Sequence, residues 1–505
     1  MSGYVPEGAA GVFDRSVELF RSLAGMLGDP ATDQVSHGEL EEQVSERGRE
    51  LLRQLYQDQL DLRAAREERR QEVAGADGVD RTRVEKGRQR QLITVFGPVT
   101  VTRMTYRAPG AASLHPADAV LNLPVEAHSH GIRRQAAIEA VRGSFGEAAA
   151  AIERSTGVKA GKRQAEALAR AAAVDVDAFY ADRRPGPSSD DVLLVMQFDG
   201  KGIVMRPEAL REATAKAART AARKLATRLS PGEKNGRKRM AELGCVYDAT
   251  PAARTAADII ARPARGPDPG EPRKAGPVVT GKWLTGSVTR DIPQVIKMGF
   301  SEAERRDPAH ARTWVVLVDG NKQQIEAIGA EAACRGVKVT VLIDFIHVLE
   351  YCWRAAWSFF EPGDPDAEVW VAGQARKILE GRSGQVAAAI RRRASTYGYS
   401  AAEREGADAC ASYLTAKKPC LDYATALSSG WPIATGIIEG ACRHIVKDRM
   451  DLTGARWGLA GAEAVLTLRA LVSNGDFDEY YRYHLDQEFK RVHRARYRTD
   501  HELAA

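Results

Sequence analysis

Two short stretches of the chain could set carboxylates where chemistry happens. Val192 to Gly202, VLLVMQFDGKG, and Trp314 to Lys322, WVVLVDGNK, each run through apolar residues into an Asp-Gly pair. The apolar runs read as buried strands. At the carboxyl end of such a strand, Asp-Gly lets the chain turn and leaves the carboxylate in the crevice where open α/β sheets bind ligands. Asp199 and Asp319 would then stand near one another, and two anions do so only at a cost unless a cation accompanies them. Mg²⁺ takes oxygen ligands and keeps water or phosphate oxygens in part of its shell. With a third carboxylate, two such ions about 4 Å apart would suit in-line displacement at phosphorus.

The best third carboxylate is Glu439 in TGIIEGACRHIVKDRM. Glu439, Arg443 and Lys447 recur at i, i+4 and i+8, which puts an acid and two bases on one face of a helix. That stripe suits a metal ligand beside a phosphate backbone; the plain alternative is a surface salt-bridge ladder. A fourth signal is IDFIHVLEY, in which Asp344 and His347 follow another apolar run. Asp344 rivals Asp319 as the second ligand. Asp319 is preferred because Asp319-Gly320 repeats Asp199-Gly200. His347 reads equally as a partly buried histidine at the start of a helix.

These residues need an α/β domain to hold them. Candidate strands are 192–198, 202–205, 243–247, 315–318 and 337–343, alternating with helical stretches after the Pro/Gly/Ser linker 183–190. A Pro/Gly-rich stretch, 261–277, reads as a surface excursion, and the segment from Glu350 to about Ser428 reads as all helical. Upstream, 36–74 has Leu51, Leu52, Leu55 and Leu62 at helical spacing. Leu92 to Arg107 reads as a hairpin turning at Gly97-Pro98. In SFGEAAAAIERSTGVKAGKRQ, Ser144 and Glu147 form a capping box that opens a helix to about Arg154. Gly157 suits a turn, and a second helix from about Lys159 begins with Lys159, Lys162, Arg163 and Gln164. A helix-turn-helix would put those side chains into a DNA groove; a plain helical hairpin is the alternative.

Composition sets bounds on all this. The chain has 505 residues, 44% hydrophobic, and 73 Lys plus Arg against 67 Asp plus Glu. At roughly 100–200 residues per domain, about three domains are expected. The net charge of +6 is too mild to identify a nucleic-acid binder, but it is unevenly spread: the runs 201–238 and 490–498 are strongly basic. Six scattered cysteines form no C-x-x-C pair, which argues against a zinc site or a disulfide scaffold and fits a reducing cytoplasm. No signal-peptide core and no apolar run of membrane-spanning length is present.

The ordered series Asp199, Asp319, Asp344-x-x-His347, Glu439 resembles a DDE transposase with a ribonuclease-H-like core, and D-x-x-H after the second Asp resembles the motif of the Mutator and hAT groups. LVDGNKQQ, DFIHVLEY, TGIIEGACRHIVKDRM and TGARW, with LHPADAVLNLP and SFGEAAAAIERSTG upstream, resemble the ISKra family of bacterial insertion sequences, from about residue 90 onward. Some members of that family carry cysteine pairs after the hairpin; this chain has none there, and no zinc is expected.

The resemblance implies a catalytic, metal-binding triad of Asp199, Asp319 and Glu439 holding two Mg²⁺ or Mn²⁺ ions. Asp344, His347, Arg443, Lys447 and Trp457 would be auxiliary, Trp457 either stacking on a displaced base or serving as a core residue. It implies double-stranded DNA as partner (element ends and target), a homo-oligomer on that DNA, and a cytoplasmic, nucleoid-associated protein. The implied order is a helical region (1–88), a β-hairpin and loop (89–128) and a helix-turn-helix (129–183). A ribonuclease-H-like core (190–349 and 429–475), interrupted by an all-α insertion (350–428), precedes a basic tail (476–505). Two rival readings stand beside it: a nuclease of the same fold that cuts without joining, and a DNA-binding regulator with an inert core.

Overall fold

The computed structural model describes residues 11–186, 189–220, 225, 230, 236–260, 274–396, 398–452 and 454–498. Of the basic run 201–238, Arg223, Lys224, Arg228 and Lys234 lie outside the described residues, as does most of the excursion 261–277. The chain forms two compact units, one of residues 1–182 with 476–505 and one of residues 183–475. Among the described residues, no helix is long and apolar enough to cross a membrane.

In the first unit, helices α1 (Asp14–Leu27) and α2 (His37–Arg66) precede a hairpin of β1 (Arg83–Thr94) and β2 (Gly97–Arg107). Helix α2 starts at a Ser36/Glu39 capping box and stops at Arg66, short of the expected Ala74. The hairpin turns at Val95-Phe96 rather than Gly97-Pro98, because Thr94 pairs with Gly97 and Ile93 with Pro98. Pro98 is tolerated there because the N–H and C=O of Ile93 bond Ala127 and Ser129, away from the proline, so no donor is missed.

Three further helices, α3 (His130–Arg142), α4 (Phe145–Thr156) and α5 (Lys162–Ala171), pack around Ile132, Ala136, Ile152 and Leu168. The Ser144/Glu147 capping box opens α4, and Gly157 ends it at φ +73°. Helix α5 begins at Lys162, so Lys159 belongs to the preceding turn. Lys162 and Arg163 are exposed in its first turn, while the Gln164 side chain accepts from the Gly161 N–H at 2.8 Å and caps the helix.

The C-terminal segment 476–505 is described as far as Arg498. It forms the helix Phe477–Val492, which docks on α3 through a buried polar network. Arg133, fully buried, donates to Glu126 at 2.6 Å and contacts Glu488 at 3.3 Å and the His484 Nε2 at 3.2 Å. His484 Nδ1 lies 2.7 Å from Asp175, which also receives Arg491. With Arg133 donating to Nε2, the proton sits on Nδ1 and the ring is neutral.

The second unit is built on a mixed sheet of β3 (Leu193–Val204), β4 (Lys238–Thr250), β5 (Val278–Ser287), β6 (Trp314–Val318) and β7 (Val339–Ile343). The strand order is β5-β4-β3-β6-β7, antiparallel across the first three and parallel from β3 to β7. The central strands are covered on both faces, so they carry continuous apolar runs. Helices α6 (Ile292–Arg306) and α7 (Lys322–Arg335) belong to the crossovers, and Gly299 of α6 lies so close to Phe198 that an added Cβ would meet its ring at 2.7 Å. After β7 come α8 (Phe345–Ala356), α9 (Pro365–Leu379), α10 (Ser383–Thr396) and α11 (Glu405–Ala416), then α12 (Gly436–Ala441) and α13 (Leu459–Ser473).

Two sequence expectations change here. The predicted strands 192–198 and 202–205 are one strand, so Asp199-Gly200 is not a strand end. Gly200 serves close packing instead: a Cβ there would meet Glu242 Oε2 at 2.8 Å and Met240 Cε at 2.9 Å. Strand β5 was not expected, because its first half is exposed and interrupted by Gly281.

Burial of His484, chiefly, pushes its pKa below the ordinary histidine value, against the pull of Asp175. A histidine held neutral in the fold contributes stability above about pH 6.5, and loses it as pH falls and the unfolded chain takes up the proton. The difference in unfolding midpoint between the wild type and His484→Gln should therefore narrow as pH is lowered from about 7.5 to 5.5. A gap that widens as pH falls would show instead that the ring is charged in the fold.

Candidate active site

The register of the parallel strands sets the site. Leu194 pairs with Trp314 and Gln197 with Leu317, so continuing that register two residues sets Asp199 level with Asp319. Val318 pairs with Ile343, which likewise sets Asp319 level with Asp344. Three aspartates thus stand in one row across β3, β6 and β7, with neighbouring strands about 4.8 Å apart.

Each is held differently. Asp199 is half-buried; its Oδ1 accepts from the Gly200 N–H at 2.7 Å and its Oδ2 lies 3.2 Å from Cys442 Sγ. Burial, reinforced by the Asp199 charge, pushes the Cys442 thiol well above the ordinary range, so the thiol keeps its proton and donates it to the carboxylate. Asp319 follows the last residue of β6 and is exposed; its Oδ1 accepts from the Asn321 N–H at 2.8 Å. Gly320 turns the chain there at φ +96°, beneath the Tyr413 hydroxyl, which donates to the Asp319 carbonyl at 3.1 Å. Burial raises the Tyr413 pKa, with the neighbouring Tyr351, Asp319 and Asp344 adding to it, so this hydroxyl stays a donor. Asp344 is buried; it caps α8 by accepting from the Ile346 N–H at 3.0 Å and takes the Thr435 hydroxyl at 2.7 Å.

Glu439 is exposed on α12. Its Oε1 lies 3.0 Å from the same Thr435 hydroxyl. One hydroxyl has one proton, so only one of these two carboxylates receives it at a time. The helix is fixed to the sheet by Gln197, fully buried in β3: its Oε1 accepts from the Ile438 N–H at 3.0 Å and its Nε2 donates to Tyr247 at 2.8 Å. Ile438 lies in the first turn, where backbone N–H groups have no partner within the helix. Gln197 therefore caps the helix from across the sheet.

Beyond Ala441 the helix widens into a π-helix, Cys442–Lys447. The stripe expected from i, i+4, i+8 spacing is for this reason not a plain α-helical one. Arg443 and Lys447 are exposed on either end of the wider turn. The His444 and Ile445 carbonyls accept from the Arg469 guanidinium of α13. π-Turns of this kind recur at functional sites.

Of the other expected residues, His347 and Trp457 belong to the same unit as this centre. His347 lies on α8 with Nδ1 3.3 Å from Glu350, edge-on to Tyr351 and Tyr413. Trp457 is buried, donates to the Met450 carbonyl at 2.9 Å and has Arg449 over its ring at 4.7 Å. Of the two readings left open for Trp457, the core residue is the one the structure supports. Lys162, Arg163 and Gln164 belong to the first unit and Lys159 to its turn. Sequence reasoning missed Gln197, Thr435, Cys442 and Arg469; a Gln inside an apolar strand, two residues before an Asp, was the available signal.

The donors at this centre are hard carboxylate oxygens, which fit a divalent cation of the Mg²⁺ kind. The Thr435 hydroxyl, flanked by two carboxylate oxygens, marks a place short of positive charge. Among the described residues, no group of three or more His, Cys, Asp or Glu side chains stands close enough together to hold a metal ion.

No protein-family model matches the chain. None of the curated proteins matches it either. Among solved structures it has a likeness to the Drosophila P element transposase strand transfer complex, at 11% identity and a TM-score of 0.21, covering 78% of this chain and 90% of that one. At that score the likeness carries no argument, and the reading below stands on the residues of this chain.

Removing the Thr435 hydroxyl should strand the buried Asp344 oxygen. Thr435→Val is expected to lower the unfolding free energy by about 1–3 kcal/mol, with Thr435→Ser close to wild type. Equal stability of Val and Ser variants in urea titrations would mean that the shared hydroxyl contributes nothing.

Proposed function

We propose that the chain is a transposase of the DDE type, acting on the ends of a DNA element and joining them to target DNA. The observation that carries this reading is the row of aspartates at one level of the parallel strands, with Glu439 tied to Asp344 through one hydroxyl. A five-stranded mixed sheet, then helices, then the helix bearing Glu439, is the order that a ribonuclease-H-like core with an all-α insertion would have.

Asp199, Asp319 and Glu439 would hold two divalent ions, Mg²⁺ or Mn²⁺; when bound, such ions lower the pKa of an attacking oxygen and stabilise the leaving one. The rest of the work falls to the chain. Cys442 and the Gly200 N–H orient the Asp199 carboxylate. Asp344 and Thr435 position Glu439, and Gln197 fixes its helix. Arg443 and Lys447 would hold backbone phosphates, and Lys159, Lys162, Arg163 and Gln164 would contact DNA from the first unit. First a water would attack the phosphodiester at an element end and release a 3′-hydroxyl. That hydroxyl would then attack a target phosphodiester, with a 3′ oxygen leaving. No covalent link between protein and DNA is needed.

The test uses DNA carrying the sequences that flank the gene, incubated with target DNA and Mg²⁺. The wild type should nick the ends and join them to the target. Asp199→Asn, Asp319→Asn and Glu439→Gln should each lose about a hundred-fold or more in rate while still binding DNA, and Asp344→Asn should lose stability first. Cleavage without joining would reduce the protein to a nuclease. An active Asp319→Asn beside a dead Asp344→Asn would move the second ligand to Asp344.

A further inference from the structure

The outer edge of β2 is capped one residue at a time. In an antiparallel pair, alternate residues turn their backbone groups away from the partner strand. On β2 these are Thr100, Thr102, Met104 and Tyr106. The Gln57 side chain of α2 takes both groups of Thr100, accepting from its N–H at 2.8 Å and donating to its C=O at 2.9 Å. Glu67, just past the end of α2, accepts from the Met104 N–H at 2.8 Å. Tyr106 exchanges two backbone bonds with Leu114. Thr102 lies between these caps, and among the described residues neither its N–H nor its C=O has a partner on this side. It opens into a cleft of about 820 Å³ between β2, the end of α2 and the short helix Pro116–Val120. The cleft floor is aliphatic, with Leu60 and Val101 buried and Leu121 half-buried. Its rim carries Arg63, Arg66, Arg69 and Arg70 against Glu67 and Glu68.

We infer that this cleft binds an extended acidic segment of a partner protein, which adds one residue of strand to the edge of β2 at Thr102. A donor and an acceptor side by side match another extended backbone. They do not match a bare anion, which the Thr102 carbonyl would repel. Among the described residues no aromatic side chain lines the cleft, so it lacks the rings on which unpaired bases stack. In the antiparallel arrangement, one residue of the segment exchanges two backbone hydrogen bonds with Thr102. Side chains alternate in direction along the segment, so the residues on either side of the paired one face Val101 and the aliphatic floor. Acidic residues beyond them meet the arginine rim. Gln57 and Glu67 close the edge on both sides and confine the pairing to a single residue, so the affinity rests on the floor and the rim charges as much as on the backbone. This inference does not depend on the chemistry proposed above.

The experiment is isothermal titration of the full-length chain with an end-blocked peptide, Asp-Glu-Leu-Thr-Leu-Glu-Asp. The wild type should bind it at one site with a Kd below about 1 mM. Methylating the backbone nitrogen of the peptide's threonine removes the N–H offered to the Thr102 carbonyl, and should weaken binding about three- to tenfold. Replacing both leucines of the peptide by serine should weaken it about tenfold or more. Arg66→Glu with Arg69→Glu, its fold verified by circular dichroism, should do the same, and wild-type binding should weaken as salt is raised. A wild type that takes up no peptide would overturn the inference. Equal binding of the methylated peptide would reduce the contact to charge attraction and overturn it too. Binding of an oligothymidylate that the double arginine exchange abolishes and the peptide fails to displace would assign the cleft to nucleic acid, and would likewise overturn it.

Discussion

Carboxylates set in a row repel, and the second unit is organised around holding that repulsion in place. Continued past the paired residues, the parallel register of β3, β6 and β7 brings the backbones of Asp199, Asp319 and Asp344 to one level. The surrounding donors answer this charge one by one: a thiol and a backbone N–H for Asp199, a backbone N–H for Asp319, a backbone N–H and a hydroxyl for Asp344. Glu439 adds a fourth negative charge and shares the hydroxyl already given to Asp344. The donor set is thus one proton short, which is the physical ground for proposing cations there.

The helix that brings Glu439 has to be anchored firmly, because a six-residue helix has little stability of its own. Two side chains from other elements do this. Gln197 satisfies a first-turn N–H from within the sheet, and Arg469 takes the carbonyls of the π-turn. Both are buried or half-buried polar groups that bond backbone atoms of this helix, so they fix position rather than add binding surface. The tilt of the π-turn separates Arg443 and Lys447 from a regular stripe and leaves both exposed beside the acidic centre.

Much of this was legible in the sequence, for reasons that differ by element. Strand β6 is buried throughout, so an unbroken apolar run announces it. The Ser144/Glu147 box and Gly157 mark α4 because capping and positive φ demand those residue types. The hairpin turn was misplaced because Gly97-Pro98 looks like a turn, whereas the proline sits opposite a residue bonded elsewhere. Asp199-Gly200 was read as a strand end because nothing local reveals that β4 continues alongside it and that Glu242 needs the space over Gly200. The π-turn was invisible because regular spacing was assumed, and Thr435 was missed because its two partners lie 91 positions upstream and four downstream. Contacts between distant segments are what a single sequence least reveals.

The central claim is that the aspartate row and Glu439 hold divalent cations, and the most direct measurement is anomalous diffraction from crystals of the full-length chain soaked in Mn²⁺. The account predicts anomalous peaks within coordination distance, about 2.0–2.2 Å, of Asp199 and of Asp319 or Glu439, lost in Glu439→Gln crystals. Peaks confined to other carboxylates, or none at millimolar Mn²⁺ with Asp199 still bonded to Cys442, would contradict it.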